Sequence, residues 1–214
     1  MTTNSAAVRW GDGRRADSDF AREQILEAAW RCYKQNTIYK TSMEHIAREA
    51  KVSRTTIYRY FQNRDEVLGG VIVGALDVLT KDIGEQTKHI TSFAEFLAEA
   101  LSRAADQAPV SPVFSVLLKE EHATTSRIYL GSSDLLAIVI NFMQGRFEQA
   151  QKAGELRDGI EFTQFIDWIV HVMLAYVVAP SPLRGSDSSG LKMMLWHYLI
   201  PAIVREEAIP AIKL

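Results

Sequence analysis

Residues 53–61 read SRTTIYRYF, which places two arginines, three aliphatic hydroxyls and three aromatic rings in nine positions. On a helix, Ile57 and Phe61 stand one turn apart with Tyr60 beside them, an edge suited to a core. Thr55, Tyr58, Arg59 and Gln62 follow the same spacing on the opposite edge, and Arg54 lies one turn before Tyr58. That second edge is cationic and polar and carries no acid, whereas a merely solvated face mixes both signs. An arginine fork matches guanine O6 and N7 or a phosphate, and a threonine methyl can touch a thymine methyl. The chemistry on offer is hydrogen bonding to the edges and backbone of a duplex.

Such a surface must be held by its neighbours. Thr41-Ser42-Met43-Glu44 reads as a capping box with Thr41 as the cap, followed by an apolar stripe of Met43, Ile46, Ala47 and Ala50. Lys51-Val52 is a two-residue break, and Ser53 is placed to cap the helix that begins the quoted stretch. Helix, short turn and helix make a helix-turn-helix, in which the first helix braces against the backbone while the second enters the major groove. Thr41, Ser42 and Ser53 stand at helix starts, as does Arg64, and helix starts attract phosphate oxygens. Asn63-Arg64-Asp65-Glu66 is a second capping box and opens a helix to about residue 86.

Composition sets bounds on this reading. The chain has 214 residues, 47% of them apolar and 23% charged, with a net charge of −2, as in a soluble globular protein. Residues 1–66 hold 12 Lys and Arg against 9 Asp and Glu, so the basic excess lies where the candidate surface lies. Cys32 is the only cysteine and keeps step with Ile25, Ala28 and Ala29, which fits a packed thiol in a reducing compartment. Residues 1–17 are polar, without the apolar core of a secretory signal. The most apolar run, WIVHVMLAYVVA (168–179), is 12 residues long, whereas a membrane span needs about 20. A cytoplasmic protein without a membrane segment is expected.

Helical periodicity dominates the whole chain. Residues 1–18 read as a flexible arm, 19–66 as the helix-turn-helix domain and 67–214 as a larger helical domain. Arg14-Arg15 suits a solvated tail, with a reach into the minor groove as the alternative. Helices are expected over 93–107, stopped by Pro109, then from Ser111-Pro112, over 133–153 with Gly154 as C-cap, over 161–178 behind an Asp158 cap, and over 191–208 with a kink at Pro201. The fold class is all-α, with about nine helices. Gly69, Gly70 and Gly74 within one helix each cost about 0.8–1 kcal/mol against alanine, which calls for close approach of another helix or a compliant joint.

The segment TSMEHIAREAKVSRTTIYRYFQNRDEVL resembles the amino-terminal domain of TetR-family transcriptional regulators, chiefly through IAREA, VS, TIYRYF and NRDEVL. The likeness covers about residues 20–68. It implies three amino-terminal helices that bind double-stranded DNA, and a carboxyl-terminal domain that binds a small effector and forms a homodimer through its last two helices. It implies DNA contacts at Arg54, Thr55, Thr56, Tyr58, Arg59, Tyr60 and Arg64. Lys51 stands where the family usually has glycine, so a left-handed backbone there would cost about 1 kcal/mol.

Phe93, Phe96, Phe114, Leu117, Phe142, Trp168 and His171 are candidate effector-pocket residues, although aromatics at helical spacing also build plain cores. The helix over 161–178 is apolar almost all round and should be buried on several sides, with Asp167 and His171 one turn apart. No Gly-x-Ser-x-Gly, phosphate-binding glycine loop or His-Glu-x-x-His is present, and no metal or cofactor is expected. Glu120-Glu121-His122 comes nearest to a metal motif but does not share one helix face. A dimeric repressor released by an apolar or amphipathic effector is the expected function. A DNA-binding regulator controlled by a protein partner is the first alternative, and a helical enzyme using the carboxyl-terminal cavity the second.

Overall fold

The computed structural model describes residues 12–115, 132–178 and 189–210, with side chains from residue 18 onward and excluding those of residues 178 and 189. Leu117, the Glu120-Glu121-His122 triplet and the side chains of Arg14 and Arg15 lie outside the described residues. The chain divides into two compact units, Met1–Val71 and Ile72–Leu214. Among the described residues no helix is long and apolar enough to cross a membrane, and the only extended pairing is an isolated bridge between Leu156 and Val204.

The first unit contains α1 (Asp12–Gln35), α2 (Met43–Glu49), α3 (Arg54–Tyr60) and the start of α4 (Arg64–Thr87). Helix α1 begins at Asp12, ahead of the expected Asp19, so part of the supposed arm is helical. Its buried stripe is Ile25, Ala28, Ala29, Cys32 and Tyr33, and Met43, Ile46 and Ala47 of α2, Ile57 and Phe61 around α3, and Val67, Leu68 and Val71 of α4 are buried as well. Burial raises the Cys32 thiol pKa above its ordinary value, as fits a packed, unreactive sulfur. A side chain at Gly70 would stand 2.6 Å from Leu26 Cδ2, so the missing Cβ lets α4 lie against α1. Gly74 has open space around it, so close approach of another helix does not account for that glycine.

The turn between α2 and α3 is fixed by backbone bonds. Lys51 N–H donates to Arg48 O at 3.1 Å and Val52 N–H to Ala47 O at 2.9 Å, the paired pattern of a helix ending in a left-handed residue. Lys51 is that residue, at φ +57°, as its glycine-like position implied. Lys51→Gly should therefore stabilise the unit by up to about 1 kcal/mol, read as a higher urea midpoint with unchanged slope. A lower midpoint would show that the lysine side chain contributes more than the backbone strain removes.

The second unit is built around α5 (Phe93–Val110), whose Phe93, Ala94, Phe96, Leu97, Ala98, Ala100, Leu101 and Ala105 are buried on nearly every side. Helix α5 packs against α6 (Ser133–Ala153), α7 (Phe162–Val178) and α8 (Ser189–Met194). It runs through Pro109, which sits in its last turn, and Ser111 N–H closes it on Gln107 O at 2.9 Å. Gly154 caps α6 at φ +73°, as expected. Asp158 does not cap α7, because its carboxylate is taken by Arg205.

The carboxyl end departs most from expectation. The final helix widens into a π turn over Leu195–Leu199, where Ile200 N–H reaches back to Leu195 O, and ends with α9 (Ile200–Ile203). Pro201 has no N–H for the His197 carbonyl, so the helical ladder yields there. Val204 turns extended and pairs with Leu156, which stops the helix before the expected residue 208. Helix α7 buries only one stripe, Phe165, Ile166 and Ile169, while Trp168 is 49% exposed. Expected burial on several sides is not what one copy of the chain provides.

Candidate nucleic-acid interface

Helix α3 is short and is defined from both ends. Ser53 Oγ accepts from Thr56 N at 3.0 Å and lies 2.8 Å from Thr56 Oγ1, so the two hydroxyls occupy each other at the cap. Ile57 is fully buried and Phe61 is 1% exposed, with the Arg22 guanidinium 4.9 Å from the Phe61 ring centroid. Burying that edge turns the opposite one outward. Arg54, Thr55, Tyr58 and Arg59 are exposed, and no acid stands among them.

The outward side chains are partly organised by one another. Arg54 stacks over Tyr58 at 5.6 Å and pairs with Glu44 of α2, Nη2 to Oε1 at 3.2 Å. Arg59 lies 4.9 Å from the Tyr60 ring centroid and donates from Nη2 to the Tyr60 hydroxyl at 2.9 Å. Tyr60 is half-buried, so its ring closes the core edge while its oxygen meets an outward cation.

Two candidate contacts have partners within the unit. Thr41 is 1% exposed and its hydroxyl donates to Thr37 O at 3.0 Å, so it braces the loop before α2 and has no surface to offer a phosphate. The cap of α2 is Ser42, which accepts from His45 N at 3.2 Å, while Ser42 N–H points back to His45 Nδ1 at 3.5 Å. The box is thus Ser42 with His45, one residue later than Thr41 with Glu44. Arg64 donates from Nη2 to Ile38 O at 2.7 Å and is half-buried, which ties the start of α4 to the loop between α1 and α2. At the start of α4, Asn63 Oδ1 accepts from Glu66 N at 2.9 Å, and the Glu66 carboxylate reaches past Asn63 to Gln62 N at 2.6 Å.

Sequence reasoning missed Glu44 as part of this surface, because it was assigned to the cap. Its carboxylate is held below the usual range by its own backbone amide first, then by the Ser42 hydroxyl, with Arg54 a further contribution.

The candidate pocket residues of the second unit do not share a wall. Phe93 and Phe96 lie in a packed aromatic cluster with Phe147, Phe162 and Phe165, in which Phe93 meets Phe147 edge-on at 6.1 Å. Phe142 packs on Phe96 at 5.8 Å, and Phe114 is buried. Trp168 and His171 are exposed instead, and His171 Nδ1 lies 2.7 Å from the Asp167 carbonyl in its own helix. A cleft of about 710 Å³ opens elsewhere, lined by Arg157, Trp196, Pro201, Arg205 and Ile209. Its only sequence signal was the break at Pro201.

Residues 25–71 match the family described as bacterial regulatory proteins, tetR family. The transcriptional regulator HbdR of Aromatoleum sp. (strain CIB) is 36% identical over 80 residues, 37% of this chain; the aligned stretch spans only 35% of that relative. Over longer stretches the fold is shared with the R. erythropolis repressor QsdR, at TM-score 0.67 and 20% identity over 86% of this chain and 95% of that one. FadR from Bacillus subtilis, solved in complex with stearoyl-CoA, matches at TM-score 0.58 and 19% identity over 85% of this chain and 98% of that one. Motif, helix geometry and family match fall on the same residues, so that residues 25–71 are similar to the amino-terminal domain of bacterial regulatory proteins of the tetR family.

Proposed function

We propose that the protein is a transcriptional repressor that binds a near-palindromic operator as a homodimer and is released by a small apolar or amphipathic effector. The observation that carries the DNA side is the outward edge of α3, with Arg54, Thr55, Tyr58 and Arg59 presented while Ile57 and Phe61 anchor the helix. Dimerisation through α7 and α8 is supported by their exposed large apolar side chains, Trp168, Met193 and Met194, with Tyr198 in the π turn. Two recognition helices related by a two-fold axis read two half-sites about one helical turn apart, or a multiple of it. The protein acts in the cytoplasm as a binding protein and not as an enzyme.

The effector would favour a state in which the spacing of the two recognition helices no longer fits the operator. Its leverage is the difference in its affinity for the two states, typically 1–3 kcal/mol of coupling. FadR, which binds stearoyl-CoA, makes long-chain acyl-CoA the first class to try. A DNA fragment retained by the protein should lose affinity by about 5–150-fold when acyl-CoA is added at saturation, followed by gel mobility. If neither acyl-CoA nor a panel of apolar and amphipathic compounds shifts the melting temperature or the DNA affinity, effector control is excluded for those classes and the partner-controlled reading gains.

A further inference from the structure

We infer that Glu44, on the bracing helix, sets the specificity of DNA binding by clamping Arg54 for base reading and denying it to phosphates. The inference rests on the reading of α3 as the recognition helix. Arg54 stands at the first position of that helix, its side chain 70% exposed. A lone arginine there would swing freely and settle on the densest negative charge, which on a duplex is the phosphate backbone. Here its guanidinium is held from two sides, by Glu44 Oε1 at 3.2 Å and by the Tyr58 ring at 5.6 Å. Glu44 stands in the first turn of α2, whose start is fixed by the Ser42 cap on His45 N at 3.2 Å, so the backbone that carries the carboxylate is held. A fixed anion can aim a cation, whereas a mobile one cannot.

Glu44 is also singular in its surroundings. From Thr41 to Gln62 the acids are Glu44 and Glu49, and Glu49 is turned to α1, where it accepts from Arg31 Nε at 2.7 Å. Beside a polyanion, the Glu44 carboxylate opposes every sequence alike and cancels the charge that Arg54 would bring to a phosphate. An arginine steadied by a carboxylate keeps N–H groups for a guanine edge, where two parallel bonds discriminate between bases. The clamp therefore lowers affinity for arbitrary DNA and raises the ratio of specific to arbitrary binding.

The experiment uses the full chain, a duplex selected by the wild type from a random library, and unselected duplex of the same length. Both affinities are measured between 50 and 200 mM salt. Glu44→Gln should bind unselected duplex about 3–10-fold more tightly at low salt, with a salt slope steeper by about one, because one more phosphate is neutralised. Its ratio of selected to unselected affinity should fall by about 10-fold, within the range of one lost bidentate base contact. In an Arg54→Ala background the same substitution should leave the ratio unchanged. Glu44→Gln with an unmoved ratio and slope, or with an equal effect in the absence of Arg54, overturns the clamp. A wild type that selects no duplex overturns the recognition-helix reading beneath it, and the two failures are told apart by that first step. Circular dichroism melts of each variant exclude loss of the α2 cap as the cause of any change.

Discussion

Phe61→Ala should unfold the DNA-binding unit at physiological temperature and abolish DNA binding while leaving the second unit helical. Phe61 is 1% exposed and closes the core edge of α3; its N–H caps the helix on Ile57 O at 3.0 Å, and Arg22 covers the outer face of the ring. Truncating a buried phenylalanine costs about 3–5 kcal/mol, because transfer energy is lost and a cavity remains. Small domains have about 5–15 kcal/mol in all, and a unit ending at Val71 belongs at the low end. Unfolding by urea, followed by amide exchange in α3, checks this. Phe61→Leu keeps apolar volume at the site and should retain binding. A Phe61→Ala protein that still binds DNA with wild-type affinity would mean that α3 is held by something other than this edge.

Arg146→Ala should be the most damaging single change in the second unit outside its apolar core. Helix α4 ends at Thr87, leaving carbonyls with no partner in their own helix. Arg146 of α6 supplies one from outside, donating from Nη2 to Thr87 O at 3.1 Å and Lys88 O at 3.3 Å and from Nη1 to Ile90 O. Its plane stacks 4.9 Å from the Phe96 centroid, and its charge suits the negative end of the helix dipole. Removing it leaves Ile90 O without this donor and Thr87 O with the Ile90 N–H alone, at about 2 kcal/mol, or a fall in Tm of about 4–8 °C for a unit of this size. Arg146→Lys should recover less than half, since an ammonium cannot fork between carbonyls. A shift below about 2 °C would show that solvent satisfies these carbonyls without it.

The DNA-binding unit was legible because its determinants are local. The 3.6 period separated Ile57 and Phe61 from Arg54, Tyr58 and Arg59, and a hydroxyl before a helix start marked Ser53 as the cap. The left-handed turn at Lys51 was implied by the resemblance, which puts a glycine there, and not by periodicity. What escaped was decided by tertiary neighbours. Thr41 and Ser42 are chemically equal as caps, and the choice was made by the Thr37 carbonyl, which takes the Thr41 hydroxyl. The Glu44–Arg54 pair depends on how α2 crosses α3, which no periodicity reports. Arg64 reads as a phosphate ligand in the motif, and no periodicity reports that one of its N–H groups reaches Ile38 O. In the second unit, apolar runs gave the helices but not their inward faces. An exposed apolar side chain gives the same sequence signal as a buried one, so Trp168 could not be told from Ile169.

The central claim is that the outward edge of α3 reads duplex DNA, and it is tested most directly by incubating the purified chain with random genomic fragments at low salt and sequencing what is retained. The account predicts enrichment of fragments sharing an inverted repeat, lost when Arg54 and Arg59 are both replaced by alanine. Retention of no fragment, or of fragments without a common sequence that survive the double replacement, would contradict it.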